Sequence, residues 1–374
     1  MEWSQEQKAL LALSCTEGIG PIISQSLIEH FGSAQSVIEA TPSALMEVPG
    51  MGPKLVSALR SPVAQHLAES EISLLNQRTD AITPVFFGHQ DYPELLGSCF
   101  DAPLVLYVRG VLPHDAPMIS VVGTRRMTPY AEDALRSIFS EWAHLSPNIV
   151  IVSGLAYGVD HAAHRIALDC GLRTVAVVAH GHHTLYPAAH KSLAKEICER
   201  GGGVITEYMF DTKPLPQRFV ARNRIVAGLS TATLLVESPD HGGSLITANI
   251  AFDYSRALYA VPGRMFDSNS SGCNKMISMQ KAGIFTSAYS MLEDLGIVSK
   301  PEKQQIQLPL EYEEDISKDI PIVRLLKSVD DISVEDITHR LGESLATVSA
   351  LLFDLELDGL VRPLPGGRYS WINK

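Results

Sequence analysis

The chain has 374 residues, 45% of them apolar, and a formal net charge of −12; it is long enough for two or three buried cores and, taken whole, too acidic for an unspecialised nucleic-acid binder. No uninterrupted apolar run reaches the roughly 20 residues that span a bilayer, and no charged-then-apolar leader opens the sequence, so the expectation is a soluble, cytoplasmic protein with no membrane partner. Cys15, Cys99, Cys170, Cys198 and Cys273 lie far apart with no C-x-x-C pair, which argues against both a zinc knuckle and a disulfide framework.

The charge is unevenly spread. Residues 1–80 carry a net −5, 81–100 −2, 101–230 +2, 231–299 −2 and 300–374 −5. A polyanion should therefore dock on the middle segment, between acidic ends that repel it. Residues 1–80 read as a helical domain, with amphipathic stretches at Gln5–Ser14 and Ser24–Phe31. Two turns, EGIGPIISQSL (Glu17–Leu27) and VPGMGPKLVSAL (Val48–Leu59), place G-x-G-P just before a helix, with proline in the first helical turn. This pattern resembles the helix-hairpin-helix motif, whose hairpin amides hold a DNA phosphate. The acidity of the region leaves a structural or pairing role equally open.

Residues 81–117 form a proline-punctuated connecting segment with short strand-like pieces, VFFG and LVLYVRG. From Ile119 apolar strands alternate with helices: ISVVG, NIVIVSG, TVAVVAHG, GGVITEY, ATLLVES, RALYAVPG and IFTSA. That alternation predicts an α/β domain over 118–298, a Rossmann-like doubly wound parallel sheet covered by helices on both sides. Its ligand should sit beyond the C-terminal ends of the strands.

The organising stretch is NIVIVSGLAYGVDHAAH (Asn148–His164). A buried strand, a small-residue turn (Ser153, Gly154, Gly158) and a helix N-terminus together offer backbone N–H groups to an anion. The turn is neither G-x-G-x-x-G nor a P-loop, so no dinucleotide site follows from it. Other strand ends add Thr124 and Arg125, then Arg218, Arg222, Asn223 and Arg224 in RFVARNRIVAGLS, then a second glycine turn in HGGSLITA with Gly243 and Ser244. Arginine suits planar, bidentate phosphate contact, and several converging phosphate sites suit a polyphosphate backbone. Arg222 and Arg224 also admit an internal ion-pair reading, and Asp160 reads first as a cap for the helix it enters. His180, His182, His183 and His190 lack the carboxylate or cysteine partners of a metal site. No nucleophile–base pair stands out, so neither a catalytic residue nor a cofactor is expected.

Residues 299–320 are a Gln-, Pro- and charge-rich linker. Beyond it, Ile322–Val329, Ser333–Leu341 and Leu345–Leu357 read as helices and GLVRPLPGGRYSWI as a β-hairpin, giving a winged-helix domain over 321–374. The would-be recognition helix has Glu343, Asp354, Glu356 and Asp358 in or beside it and no Lys or Arg, which disfavours a major-groove reader and suits a protein partner.

In its motifs the central domain resembles the DNA-processing protein A (DprA/Smf) family. These are VGTRR (Val122–Arg126), SGLAYGVDHAAH (Ser153–His164), Tyr186–Pro187, RFVARNRIVAGLS (Arg218–Ser230), GGSLITA (Gly242–Ala248), VPG (Val261–Gly263) and SGCNKMI (Ser271–Ile277). The resemblance implies a non-enzymatic protein that binds single-stranded DNA without sequence preference, forms a homodimer and hands the strand to the RecA recombinase in natural transformation. Carried onto this chain, it implies a pocket of Gly123, Arg125, Ser153, Gly154, Gly158, Arg222, Arg224, Gly243 and Ser244, with Asn274 and Lys275 as additions. Tyr157 stands where the family commonly has a basic residue and could stack on a base. Tyr130-Ala131 replaces the usual Tyr-Gly, and His182–His183 fill a loop usually written otherwise. The alternative is a nucleotide enzyme of the phosphoribohydrolase-like Rossmann group, whose P-G-G-x-G-T-x-x-E motif supplies a catalytic glutamate. HGGSLITAN lacks it, leaving Glu207 and Glu237 as the only substitutes.

Overall fold

In the computed structural model, which describes residues 2–78, 82–113, 115–299, 321–329 and 331–372, the apolar runs of the central segment become strands of one sheet. Two earlier strands, β1 (Ile82–Phe86) and β2 (Val105–Gly110), precede β3 (Met118–Val122), β4 (Val150–Ser153), β5 (Arg173–Val177), β6 (Gly203–Thr206), β7 (Ala232–Leu235), β8 (Ala257–Ala260) and β9 (Gly283–Ile284). Their order in the sheet is β1-β2-β6-β5-β4-β3-β7-β8-β9. All pairings from β6 to β9 are parallel, with Ile119 opposite Ile151 on one side and Ala232 on the other.

Alternate residues of each strand feed two separate cores, as a parallel sheet covered on both faces requires. Ile119, Val121, Ile151 and Leu234 pack with Leu135, Phe139 and Trp142 of the helix Pro129–Leu145 and with Ile166 of the helix Val159–Asp169. Val122, Val150, Val152 and Leu235 face the other way, onto Ile225 and Val226 of the helix Pro216–Gly228 and Ala248 of the helix Gly243–Asp253. The chain climbs from β3 outward to β6, then returns to the other side of β3 with β7. The crevice between the exits of β3 and β7 is thus a topological switch point, where open α/β sheets bind ligands.

The segment 81–117, expected as a connection, is the sheet's antiparallel edge: β1 pairs with β2, and β2 with β6, Tyr107 opposite Thr206. The helices of residues 1–78 share one core with it, Leu11, Leu13, Leu27 and Leu45 packing with Ile82, Phe86, Val105 and Tyr107. Their two G-x-G-P turns pack on each other's helices, Gly18 against Leu55 and Gly50 against Ile23. Residues Met1–Lys300 accordingly form one compact unit and Pro301–Lys374 a second.

In the second unit the helices Pro321–Ser328, Val334–Leu341 and Leu345–Leu357 enclose Ile322, Leu326, Ile337, Val348, Leu352 and Leu355. Strands β10 (Ile332–Ser333), β11 (Val361–Leu364) and β12 (Arg368–Trp371) complete a winged helix in the order β10-β12-β11. Ser333 caps its helix by accepting from the Asp336 N–H at 3.1 Å. The expected linker 299–320 lies outside the described residues apart from Ser299.

Candidate nucleic-acid interface

A cleft of about 600 Å³ opens at the switch point. The exit of β3 contributes Gly123, Thr124, Arg125 and Arg126; the exit of β4 contributes Gly154, Ala156 and Asp160. The helix Pro216–Gly228 adds Phe219, Val220, Arg222 and Asn223, and the exit of β7 adds Gly242, Gly243 and Ser244. Arg125, Arg222 and Ser244, drawn from three separate stretches of sequence, therefore share one groove.

Close approach explains the glycines. A Cβ on Gly123 would stand 2.5 Å from Val159 Cγ2, and one on Gly154 would stand 1.9 Å from Arg222 Nη1. The guanidinium of Arg222 thus lies flat on the Gly154 backbone, and the residue is only 4% exposed. Its Nη1 donates to Val177 O, while its Nε has no protein partner. Burial lowers the Arg222 guanidinium below its ordinary range, Asp160 pulling it back up and Arg125 pushing it further down. Asp160 shows the converse, its carboxyl raised by burial and drawn back chiefly by Arg222. Arg125 is exposed and has no hydrogen-bond or ion-pair partner among the described residues. An anion entering the cleft would meet one exposed, unpaired guanidinium and one buried, bonded one.

Backbone amides add to this. The helices Val159–Asp169, Pro216–Gly228 and Gly243–Asp253 all start at or beside the cleft, and none has a side-chain cap on its N-terminus. Their dipoles point positive ends toward the same space. Asp160, read from the sequence as a cap, bonds instead to the preceding turn, accepting from the Ala156 N–H at 3.4 Å. One wall is aromatic: Tyr186, half exposed, meets Phe219 edge-on with ring centroids 5.5 Å apart.

Seven of the binding candidates singled out from the sequence stand outside the cleft lining, among them Arg218, whose Nη1 donates to Lys213 O and whose guanidinium lies over the Tyr208 ring, 5.2 Å from its centroid. Ser153 is fully buried and its hydroxyl donates to Val121 O at 2.7 Å, tying β4 to β3. Gly158, at φ +75°, begins its helix with the Thr124 carbonyl where a Cβ would be, so it shapes the cleft from behind. Arg224 pairs with Glu207 and approaches Asp101 at 4.0 Å. Asn274 grips Gly263, accepting from its N–H at 3.2 Å and donating to its carbonyl at 3.1 Å. Lys275 is exposed on the helix Ser271–Ser278. Tyr157 is exposed beside the cleft, its ring edge-on to His190.

Tyr186, Arg126, Phe219 and Val220 line the cleft without having been singled out as site residues. Phe219 had a usable signal, lying one turn before Arg222 and Asn223 on the same helix face. Three of the four histidines are buried and bonded to backbone: His180 donates Nδ1–H to Gly181 O while Nε2 accepts from the Tyr186 N–H, His182 bonds Tyr107 O and His190 bonds Leu155 O, whereas His183 is exposed, 3.6 Å from Asp211. Among the described residues no His, Cys, Asp and Glu grouping could hold a metal ion, and no helix is long and apolar enough to cross a membrane. The two strand-end glutamates are engaged structurally. Glu237 is buried and accepts from the Thr128 N–H and hydroxyl at 2.9 and 2.7 Å, while Glu207 holds Arg224.

Comparison with known proteins agrees with this architecture. Residues 83–296 match the family model described as DNA recombination-mediator protein A, residues 313–367 the DprA winged helix domain, and residues 10–61 the SAM-like helix-hairpin-helix tandem. Protein Smf of Synechocystis is 30% identical over 98% of this chain and 99% of its own length. The crystal structure of DNA processing protein A from Streptococcus pneumoniae superposes with a TM-score of 0.64 at 28% identity, covering 79% of this chain and 99% of that one. The Helicobacter pylori protein, whose structure is titled for its single-stranded DNA binding mode, superposes at 0.52 with 27% identity, over 59% of this chain and 97% of that one. With all three of its domains matched and a full-length relative at 30% identity, the chain belongs to the DNA recombination-mediator protein A family.

Proposed function

We propose that this protein binds single-stranded DNA without sequence preference along the switch-point cleft, as a carrier rather than a catalyst, in the DNA processing that accompanies natural transformation. One observation carries the reading: Arg125, Arg222, Asn223 and the first turn of the helix Gly243–Asp253 converge on the same cleft as the Tyr186–Phe219 wall. Cations and amides serve phosphates, and aromatic faces serve unpaired bases, a pairing of groups suited to a single strand. A duplex has its bases stacked away from such a wall. Glu207 and Glu237, the carboxylates a phosphoribohydrolase would need, are committed to Arg224 and Thr128. Handing the strand to RecA and acting as a homodimer belong to the same proposal and are supported by family membership.

Gel shifts on poly-dT and on duplex DNA across a salt series test it. Binding should favour poly-dT and weaken steeply with salt, the logarithmic slope being about −0.7 per phosphate neutralised. Arg125→Glu should weaken it by about tenfold or more with an unchanged melting temperature, because Arg125 is exposed and makes no ion pair. Normal binding by that variant would end the reading.

A further inference from the structure

The loop leaving β8 carries an exposed group that the cleft does not account for. Arg264, Met265, Phe266 and Asp267 form a β-turn closed by the Asp267 N–H donating to Arg264 O at 3.1 Å. Met265 and Phe266 occupy its two corner positions and are 81% and 96% exposed, so neither side chain contributes to a core. Yet the loop is well anchored. Tyr130 donates its hydroxyl to Pro262 O at 2.9 Å, Asn274 holds Gly263 from both sides, and the Asp267 carboxylate is turned inward onto the Asn269 N–H at 2.9 Å. Arg264 is exposed and has no hydrogen-bond or ion-pair partner among the described residues.

The loop also adjoins the cleft. It leaves the C-terminal end of β8, one sheet position beyond β7, a step of about 4.8 Å. Tyr130 stands in the first turn of the helix that follows the cleft-lining Arg125–Arg126 turn, so the element leaving that side of the cleft bonds directly to the loop. On the other side Ser244 donates to Ser238 Oγ at 2.9 Å, Ser238 O accepts from the Gly272 N–H at 2.8 Å, and Gly272 lies on the helix whose Asn274 holds Gly263 of the loop. An unpaired cation beside an exposed aromatic ring, on an anchored turn one strand over from the cleft, is the combination that holds unpaired nucleotides.

We propose that the turn Arg264–Asp267 is a second nucleotide subsite, which takes a single strand as it leaves the cleft, Phe266 stacking on a base and Arg264 contacting the adjoining phosphate. This rests on the single-strand reading above. The test uses the full chain and dT oligomers of about 4 and about 16 nucleotides, the range that single-strand sites cover. Phe266→Ala should bind the short oligomer like the parent and the long one about tenfold more weakly. Phe266→Trp should add an indole fluorescence that the long oligomer quenches and the short one does not. Arg264→Ala should lower the salt slope on the long oligomer by about one contact. Equal affinities of Phe266→Ala and the parent for the long oligomer would overturn the subsite, as would equal losses on both lengths accompanied by a change of oligomeric state, which would make the turn a contact between copies. Should Arg125→Glu bind normally, the cleft reading itself fails; should only that variant lose binding, the subsite alone is refuted.

Discussion

Arg222 and Arg224 stand two positions apart in one helix, and the 3.6-residue repeat turns them about 200° from each other. One guanidinium consequently faces the cleft over Gly154, and the other faces Glu207 and Asp101. The sequence offers both as phosphate ligands and both as ion-pair partners; the acids that decide between these roles are remote in sequence and meet Arg224 only once the chain is folded. Ser153, read from its small-residue turn, and Asn274, carried over from the family resemblance, meet the same limit, since a hydroxyl or an amide reads alike in sequence whether it faces ligand or backbone. A different residue sets a pH dependence. His164 is fully buried, its Nδ1–H donating to Thr174 Oγ1 at 2.6 Å while Nε2 has no partner, and burial pulls its pKa from 6.5 down to about 3. Between those values the unfolded chain binds a proton that the folded chain refuses, so the contribution to stability is complete above pH 6.5 and is lost as the pH falls. At pH 5 the loss is about 2 kcal/mol. His164→Asn keeps a donor for Thr174 and cannot titrate there. Urea unfolding at pH 7 and pH 5 should give a smaller difference for the variant than for the parent by about that amount; equal differences would show that His164 carries no such term.

At the scale of elements, the strands of the central domain were legible because each is a short apolar run bounded by glycine, and the helices between them carry their own periodicity. The pairing order was not legible, because it depends on contacts such as Tyr107 with Thr206, some hundred positions apart. VFFG and LVLYVRG consequently looked like a proline-rich passage between domains, whereas they continue the sheet and supply the floor on which the first helices pack. A second tie has the same long range: Glu71 of the helix Pro62–Gln77 accepts from the Phe210 N–H at 2.8 Å, which fixes the loop leading into the Arg222 helix. The helical region therefore cannot be removed as an independent module. A chain lacking residues 1–77 would expose Ile82, Phe86, Val105 and Tyr107, all buried in the intact protein, and release the Phe210 loop. Its melting temperature should fall by more than 10 °C or the chain should aggregate, as read by calorimetry and light scattering. A truncated protein as stable as the parent would contradict the shared core.

For the whole molecule the distribution of charge matters more than its sum. The cleft takes most of its lining from residues 101–230, a stretch of net +2, in a protein of net −12. The winged helix and the segment before it, residues 300–374, hold −5 of that charge, and the winged helix has a core of its own. Their acidic helix Leu345–Leu357 offers nothing to a phosphate backbone, and any long-range effect on a nearby polyanion is repulsive. Such repulsion is screened beyond a Debye length, about 8 Å at physiological ionic strength and about 30 Å at 0.01 M. Deleting 300–374 should therefore leave the affinity for poly-dT unchanged within about twofold at 0.15 M salt and raise it severalfold at 0.01 M, steepening the salt dependence of the remaining protein. Fluorescence anisotropy of labelled dT over that salt range separates this from direct participation. A tenfold loss of affinity at 0.15 M on deletion would mean that the winged helix itself holds the strand, and the acidic helix would then need a basic neighbour to do so.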